Sequence, residues 1–119
     1  MPNPFIYCEL HTANPAAAKS FYGRLFDWKL KESQTPGGLY TEIDPGEGFP
    51  GGLMGPMAGA SSLWLTYVRV ADLDASLARA QSLGGRVLAP RSEVPGAGWF
   101  AVLADPAGVS FGLWQPAAR

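Results

Sequence analysis

The sequence predicts an α+β fold made of two tandem modules, each running strand, helix, strand, strand, strand. Three observations predict it. Short runs alternate apolar with polar residues, as half-buried strands do. Two segments carry helical spacing, each opened by a capping residue. The order of elements then recurs, together with several of its short motifs, roughly sixty residues further on.

In the first module, Ile6, Cys8 and Leu10 alternate with Tyr7, Glu9 and His11, which reads as a strand over Phe5 to Leu10. Asn14-Pro15 supplies an N-cap and a proline at the first helical position. Ala16 to Phe26 continues as a short amphipathic helix with Ala18, Phe21, Tyr22 and Leu25 on one side. Asp27 to Glu32 and Leu39 to Ile43 alternate again as strands, and Asp44-Pro45-Gly46 turns the chain toward Gly51 to Met57. Twelve of the 25 residues from Pro36 to Ala60 are glycine or proline, which leaves a loop or a glycine-bearing strand between tight turns.

The second module decides between these. Trp64 to Val70 is a strand, Ala71-Asp72 a cap, and Leu73, Leu77 and Ala80 lie at i, i+4 and i+7 of a helix that stops at Gly84-Gly85. Arg86 to Ala89, Trp99 to Ala104 and Val109 to Trp114 come next as strands, the last two joined by Asp105-Pro106-Ala107-Gly108. Ala13-Asn14 recurs as Ala71-Asp72 and Leu25 as Leu83, both 58 residues on. Gly52-Leu53-Met54-Gly55-Pro56 recurs as Gly112-Leu113-Trp114-Gln115-Pro116, 60 residues on. By that correspondence the glycine-rich stretch is a strand, and the modules cover about 4–58 and 62–116 of a single domain, 1–119.

Composition narrows the function. Nine basic against ten acidic side chains give a net charge of -1, with no electrostatic footprint for nucleic acid or an anionic membrane. The longest apolar run, Trp99 to Ala104, is far too short to span a bilayer, and Met1-Pro2-Asn3-Pro4 does not open a signal peptide, so a cytoplasmic location is expected. One cysteine allows no intrachain disulfide, and one cysteine with one histidine cannot make a structural zinc site of those two residue types. Only 16% of residues are charged against a usual ~25%, which predicts that part of the exterior is covered, by a cavity or a second subunit.

Four motifs in order, Asn14-Pro15 with Phe21-Tyr22-Gly23-Arg24-Leu25-Phe26-Asp27-Trp28, Val68-Arg69-Val70-Ala71-Asp72-Leu73-Asp74, Leu83-Gly84-Gly85 and Asp105-Pro106-Ala107-Gly108, resemble the glyoxalase/bleomycin resistance/extradiol dioxygenase superfamily, the vicinal oxygen chelate proteins. The resemblance spans essentially the whole chain. It implies paired βαβββ modules forming a curved mixed sheet around a cavity, helices on the outer face, and a homodimer. The superfamily's metal enzymes take four ligands from equivalent strands, and alignment places those positions at Tyr7, Gly52, Leu65 and Gly112. None is an ordinary side-chain ligand for a divalent metal. The resemblance thus implies the fold without the metal chemistry: no metal residues and no cofactor are expected, with a divalent metal as the minority alternative.

Strand alternation assigns faces once Tyr7 is set toward the cavity. Glu9 and His11 then join it, as do Tyr40 and Glu42, Gly52 and Met54, Leu65, Tyr67 and Arg69, and Ser110, Gly112 and Trp114. The expected ligand-binding set is Tyr7, Glu9, His11, Tyr40, Glu42, Gly52, Met54, Tyr67, Arg69, Gly112 and Trp114, an aromatic wall with few ionisable groups. Glu9, Glu42 and His11 are the catalytic candidates and, together, the one conceivable displaced metal site.

Blander roles compete with each of these. His11 reads as a partly exposed histidine bonding a loop carbonyl, Glu9 and Arg69 as an ion pair across the modules, Cys8 as a small core residue, and Met54 and Met57 as packing or rim residues. Gly108-Val109-Ser110-Phe111-Gly112 matches a nucleophile elbow, but no helix or histidine lies beyond it. Gly46-Glu47-Gly48-Phe49-Pro50-Gly51 matches a dinucleotide fingerprint, but Gly52-Leu53-Met54-Gly55-Pro56 immediately after it cannot start a helix. The expected function is metal-independent binding of a small organic, antibiotic-like molecule. The alternatives are a lyase, isomerase or dioxygenase using displaced ligands or a carboxylate base, and a dimeric interaction module with a vestigial cavity.

Overall fold

The computed structural model describes residues 2–35, 38–56 and 62–117. Its elements are β1 (Phe5–His11), α1 (Pro15–Leu25), β2 (Lys29–Thr35), β3 (Gly38–Asp44), β4 (Gly51–Met54), β5 (Leu63–Arg69), α2 (Leu73–Ser82), β6 (Arg86–Val94), β7 (Gly98–Ala104) and β8 (Ser110–Pro116). The fold is α+β, and the order strand, helix, three strands occurs twice. Two compact units divide the chain, Tyr7–Leu65 in one and Met1–Ile6 with Thr66–Arg119 in the other.

In the first unit β1 runs parallel to β4, while β4, β3 and β2 are successively antiparallel. The second unit repeats the pattern, with β5 parallel to β8 and then β7 and β6 antiparallel. Registers repeat as well. Glu9 faces Gly52 across β1 and β4, and Tyr67 faces Gly112 across β5 and β8. Thr41 faces Leu53, and Ala101 faces Leu113. These pairs reproduce the offsets of 58 and 60 seen in the sequence, so the repeat is one of three-dimensional register and not only of wording.

Local chemistry opens both helices and shapes both Asp-Pro turns where the sequence predicts them. Asn14 Oδ1 accepts from Ala17 N at 3.1 Å and Asp72 Oδ1 from Ala75 N at 3.0 Å, so both predicted caps satisfy an otherwise orphaned helical donor. The two Asp-Pro turns match: Asp44 Oδ1 accepts from Gly46 N, and Asp105 Oδ1 from Ala107 N and Val109 N. Gly46 and Gly108 sit at φ of 94° and 93°, a left-handed conformation that glycine adopts at no steric cost.

Each unit packs its helix on one sheet face. Under α1 lie Leu10, Ile43 and Leu53, joined by Ala18, Tyr22, Trp28 and Leu30. Under α2 lie Val70, Leu73, Ala101, Leu103 and Leu113, joined by Val68, Leu77, Ala80, Trp99 and Phe111. Strand parity leaves Tyr7, Glu9, His11, Tyr40, Glu42 and Gly52 on the face of the first unit away from α1, as expected. Several boundaries differ from expectation: β2 covers Lys29–Thr35 instead of Asp27 to Glu32, and β8 runs to Pro116 instead of Trp114. Strand β4 ends at Met54, and Met57 falls outside the described residues. Strand β6 runs to Val94 instead of stopping at Ala89, with register shifts between Val87 and Ala89 and between Ala89 and Ser92. Pro90 lies within it. A proline cannot donate to a ladder, but a bulged strand accommodates it, which alternation alone does not reveal.

Leu73 is completely buried at the start of α2, where its N–H also donates to Gln115 Oε1 at 2.8 Å. Replacing it with alanine removes buried methyl groups and leaves a void. A loss of about 2–5 kcal/mol is expected for Leu73→Ala. Leu83→Ala, at a position 66% exposed, is expected to change stability by less than about 0.5 kcal/mol. Urea denaturation of the two variants against the parent checks the contrast.

Candidate functional site

The polar face of the first unit is organised around a residue that has no side chain. A Cβ built on Gly52 would lie 1.8 Å from Tyr40 Oη and 2.6 Å from Tyr7 Oη. Two tyrosines from neighbouring strands thus fill the volume in front of β4. Glu9 and Glu42 flank the same glycine, each directly opposite it in register, from β1 and β3.

The polar atoms form a chain. Tyr40 Oη donates to Glu9 Oε2 at 2.6 Å, Tyr7 Oη and Tyr40 Oη lie 2.5 Å apart, and His11 Nε2 lies 2.8 Å from Glu9 Oε1. Glu9 is largely enclosed, with its side chain 12% exposed, so its charge depends on such partners. His11 is buried, and its Nδ1 has no hydrogen-bond partner among the described residues. The expectation of a partly exposed histidine bonding a loop carbonyl is therefore corrected: Glu9 two residues earlier on the same strand face captures the ring.

Burial, together with the charges of Glu9 and Glu42 and against the hydrogen bond with Tyr40, pushes the Tyr7 phenol up to about 12. Tyr40 is raised further still, first by burial and then by the charge of Glu9 and the hydrogen bond it accepts. Both phenols are thus held neutral over the whole physiological range.

The second unit solves the same space differently. A Cβ on Gly112 would lie 2.4 Å from the Tyr67 ring, so Tyr67 lies flat over that glycine, with Phe100 edge-on to it at 6.4 Å. Phe100 is the counterpart of Tyr40 by the offset of 60. Strand alternation did not single it out, although the offset points to it. Trp114 and Arg69 are half-buried and opposite one another in register. The Arg69 backbone is held by Pro4 O and the Asn3 side chain.

Other expected residues divide. Met54 is half-buried beside His11 in register. Glu42 is exposed, so its carboxylate is solvated and needs no partner. Cys8 is half-buried, not a core residue, and forms no disulfide. Among the described residues no three of His, Cys, Asp and Glu are grouped to hold a metal ion. The donor set at Tyr7, Gly52, Leu65 and Gly112 does not fit one either, because glycines occupy two positions and tyrosines fill the space above them. On the opposite face of the first unit, a groove of about 870 Å³ runs between α1 and the strands, floored by Leu30, Thr41 and Leu53.

This geometry sets expectations for two substitutions and for alkaline pH. Gly52→Ala is expected to expel Tyr40 from its place and break its bond to Glu9, costing about 1–3 kcal/mol in urea denaturation. Tyr40→Phe, which keeps the ring and removes one charge-assisted bond, is expected to cost a similar amount. In alkaline titration, stability is expected to hold up to pH 10.0, the ordinary tyrosine value, and to fall as pH rises through about 12, because the fold favours neutral Tyr7 and phenolate forms more readily in the unfolded chain. Tyrosinate absorbance of the folded protein should accordingly show at least two of its four tyrosines still protonated at pH 10.0.

Comparison with known proteins agrees with the architecture. The chain is 36% identical over 116 residues to "Putative glyoxylase CFP32" of Mycobacterium bovis, covering 96% of this chain and 44% of that protein. It is 31% identical over 130 residues to "Anthracycline biosynthesis protein DnrV" of Streptomyces peucetius, covering 96% of this chain and 47% of that one. The chain thus spans about half the length of the curated relatives it matches. A glyoxalase/bleomycin resistance protein/dioxygenase superfamily member from Vibrio splendidus shares the fold at a TM-score of 0.68, with 15% identity over 98% of this chain and 100% of that one. The glyoxalase-like domain matches residues 7–114. With its duplicated βαβββ order, the chain belongs to the glyoxalase-like domain family.

Proposed function

We propose that this chain binds a small organic, antibiotic-like molecule without a metal, on the tyrosine-lined sheet faces. The observation that carries the reading is the filling of the space over Gly52 by the Tyr40 and Tyr7 hydroxyls and over Gly112 by the Tyr67 ring. Where the superfamily's metal enzymes would carry ligands, this chain offers aromatic surface with a few oriented polar atoms. That composition suits recognition of a ring system by stacking and a small number of hydrogen bonds. The name of DnrV, which refers to anthracycline biosynthesis, supports an organic ligand of that general kind.

Two further elements belong to the proposal. The chain works as a homodimer: Phe21, Phe26 and Trp64 are 59%, 43% and 39% exposed, and their rings join Tyr22 and Trp28 in one aromatic cluster. An exposed patch of that kind favours a protein partner. The location is cytoplasmic; no helix among the described residues is long and apolar enough to cross a membrane, and the balanced charge gives no nucleic-acid footprint.

A second reading is favoured by the Glu9–His11 contact at 2.8 Å: acid-base catalysis of the lyase or isomerase type, with Glu9 as base. Metal content, ligand binding and turnover together separate the two readings. Native mass spectrometry and elemental analysis of protein purified without chelator are expected to show a dimer without near-stoichiometric zinc, nickel, iron or manganese. Thermal shifts against a library of aromatic natural products are expected to persist in EDTA and to shrink in Tyr7→Phe/Tyr40→Phe. Near-stoichiometric metal, or binding abolished by EDTA, would refute the metal-independent reading. Turnover of an enolisable substrate lost in Glu9→Gln would favour the catalytic one.

A further inference from the structure

The direction of the hydrogen bonds around Gly52 restricts the chemistry of the molecule this face can take, an inference that rests on the proposed binding role. An ionised carboxylate only accepts, so Glu9 fixes the sense of the whole chain. Tyr40 spends its one hydroxyl hydrogen on Glu9 Oε2. In its 2.5 Å contact with Tyr7, Tyr40 must therefore accept, and Tyr7 spends its own hydrogen there. Any further hydrogen bond made by either phenol oxygen is one it accepts. The same logic places the proton of a neutral His11 on Nε2, facing Glu9 Oε1, and leaves Nδ1 with a lone pair. That buried Nδ1 is the polar side-chain atom left unmatched among the described residues.

Glu42 completes the pattern, since its exposed carboxylate stands directly across Gly52 from Glu9 on the same face. Among Tyr7, Tyr40, Glu9, His11 and Glu42, the phenol hydrogens are spent within the chain, and the groups left to meet a ligand are the exposed Glu42 carboxylate and the unmatched His11 Nδ1, both acceptors. The cations nearest in register, Lys31 opposite Glu42 and Lys29 opposite Asp44, lie on the neighbouring strand β2 and form no ion pair with those carboxylates among the described residues. We infer that this face selects a hydrogen-bond donor: an aromatic molecule bearing a protonated amine or a hydroxyl, in preference to a carboxylate or phosphate. An anionic ligand would meet two carboxylates and find no donor among these five residues.

The test uses three probes with one ring body, 1-naphthylmethylamine, 1-naphthalenemethanol and 1-naphthoate, titrated by isothermal calorimetry and by NMR of ¹⁵N-histidine-labelled protein. His11 is the chain's only histidine, so in tag-free protein its ring signals need no assignment. The free protein is expected to show the Nε2-protonated tautomer. The amine is expected to bind at least ~10-fold tighter than the carboxylate, with the alcohol between them, as one charge-assisted hydrogen bond implies. Glu42→Gln should reduce the amine's advantage several-fold. An Nδ1-protonated ring, or a carboxylate that binds as well as the amine, would overturn the inference while leaving the binding role in place. If none of the three binds, the binding role falls and this inference with it.

Discussion

The structure of both units depends on a steric permission: a glycine in the last strand of each module lets a tyrosine lie across the sheet. With any side chain at Gly52, Tyr40 Oη would have to move, and with any at Gly112 the Tyr67 ring would have to move. A glycine in a strand ordinarily weakens it, because it packs nothing and loses more entropy on ordering. Here the missing packing is supplied from neighbouring strands, by Tyr40 and Tyr7 over one glycine and by Tyr67 over the other. The glycine and the tyrosine act as a pair, and neither explains itself alone.

The two halves share this device and diverge in what they build on it. Glu9 and Tyr67 are equivalent in register, as are Tyr40 and Phe100, and Glu42 and Val102. In the first unit these positions hold a carboxylate, a phenol and a second carboxylate; in the second they hold a phenol, a phenyl ring and a buried valine. One duplicated frame therefore presents a hydrogen-bonded face and a largely apolar one.

Much of this was legible in the sequence. Alternation of Ile6, Cys8 and Leu10 with Tyr7, Glu9 and His11 placed Leu10 under α1 and the polar set on the opposite face, since a one-residue slip would have exposed the apolar set. Asn14 and Asp72 marked the helix starts because their side chains have one economical use there. What could not be read was reach. Period two says which face Tyr40 occupies, but not that its hydroxyl crosses a strand to meet Glu9, because that depends on a rotamer and on the room left by Gly52. The burial of His11 was hidden because strand β4, distant in sequence, runs beside it, whereas its contact with Glu9, two residues away on the same face, lay within reach of the alternation. Strand β6 outran its periodicity because bulges around Pro90 break the alternation that would have announced it.

A ligating side chain at position 52 and the hydrogen-bond chain compete for one volume. A histidine or glutamate at position 52 would project into the space that the Tyr40 and Tyr7 hydroxyls occupy, so metal ligation from that strand and the present network exclude one another. Restoring a ligand there would first displace Tyr40, and Glu9 would then lose the donor at Oε2 while remaining mostly enclosed. Removing a donor from an enclosed carboxylate is costly, so such a substitution lowers stability unless another donor replaces the Tyr40 hydroxyl. A side-chain ligand at position 52 and the Tyr40–Glu9 hydrogen bond are therefore alternatives for one volume, and a change at Gly52 that kept the rest of the face would need a change at Tyr40 with it.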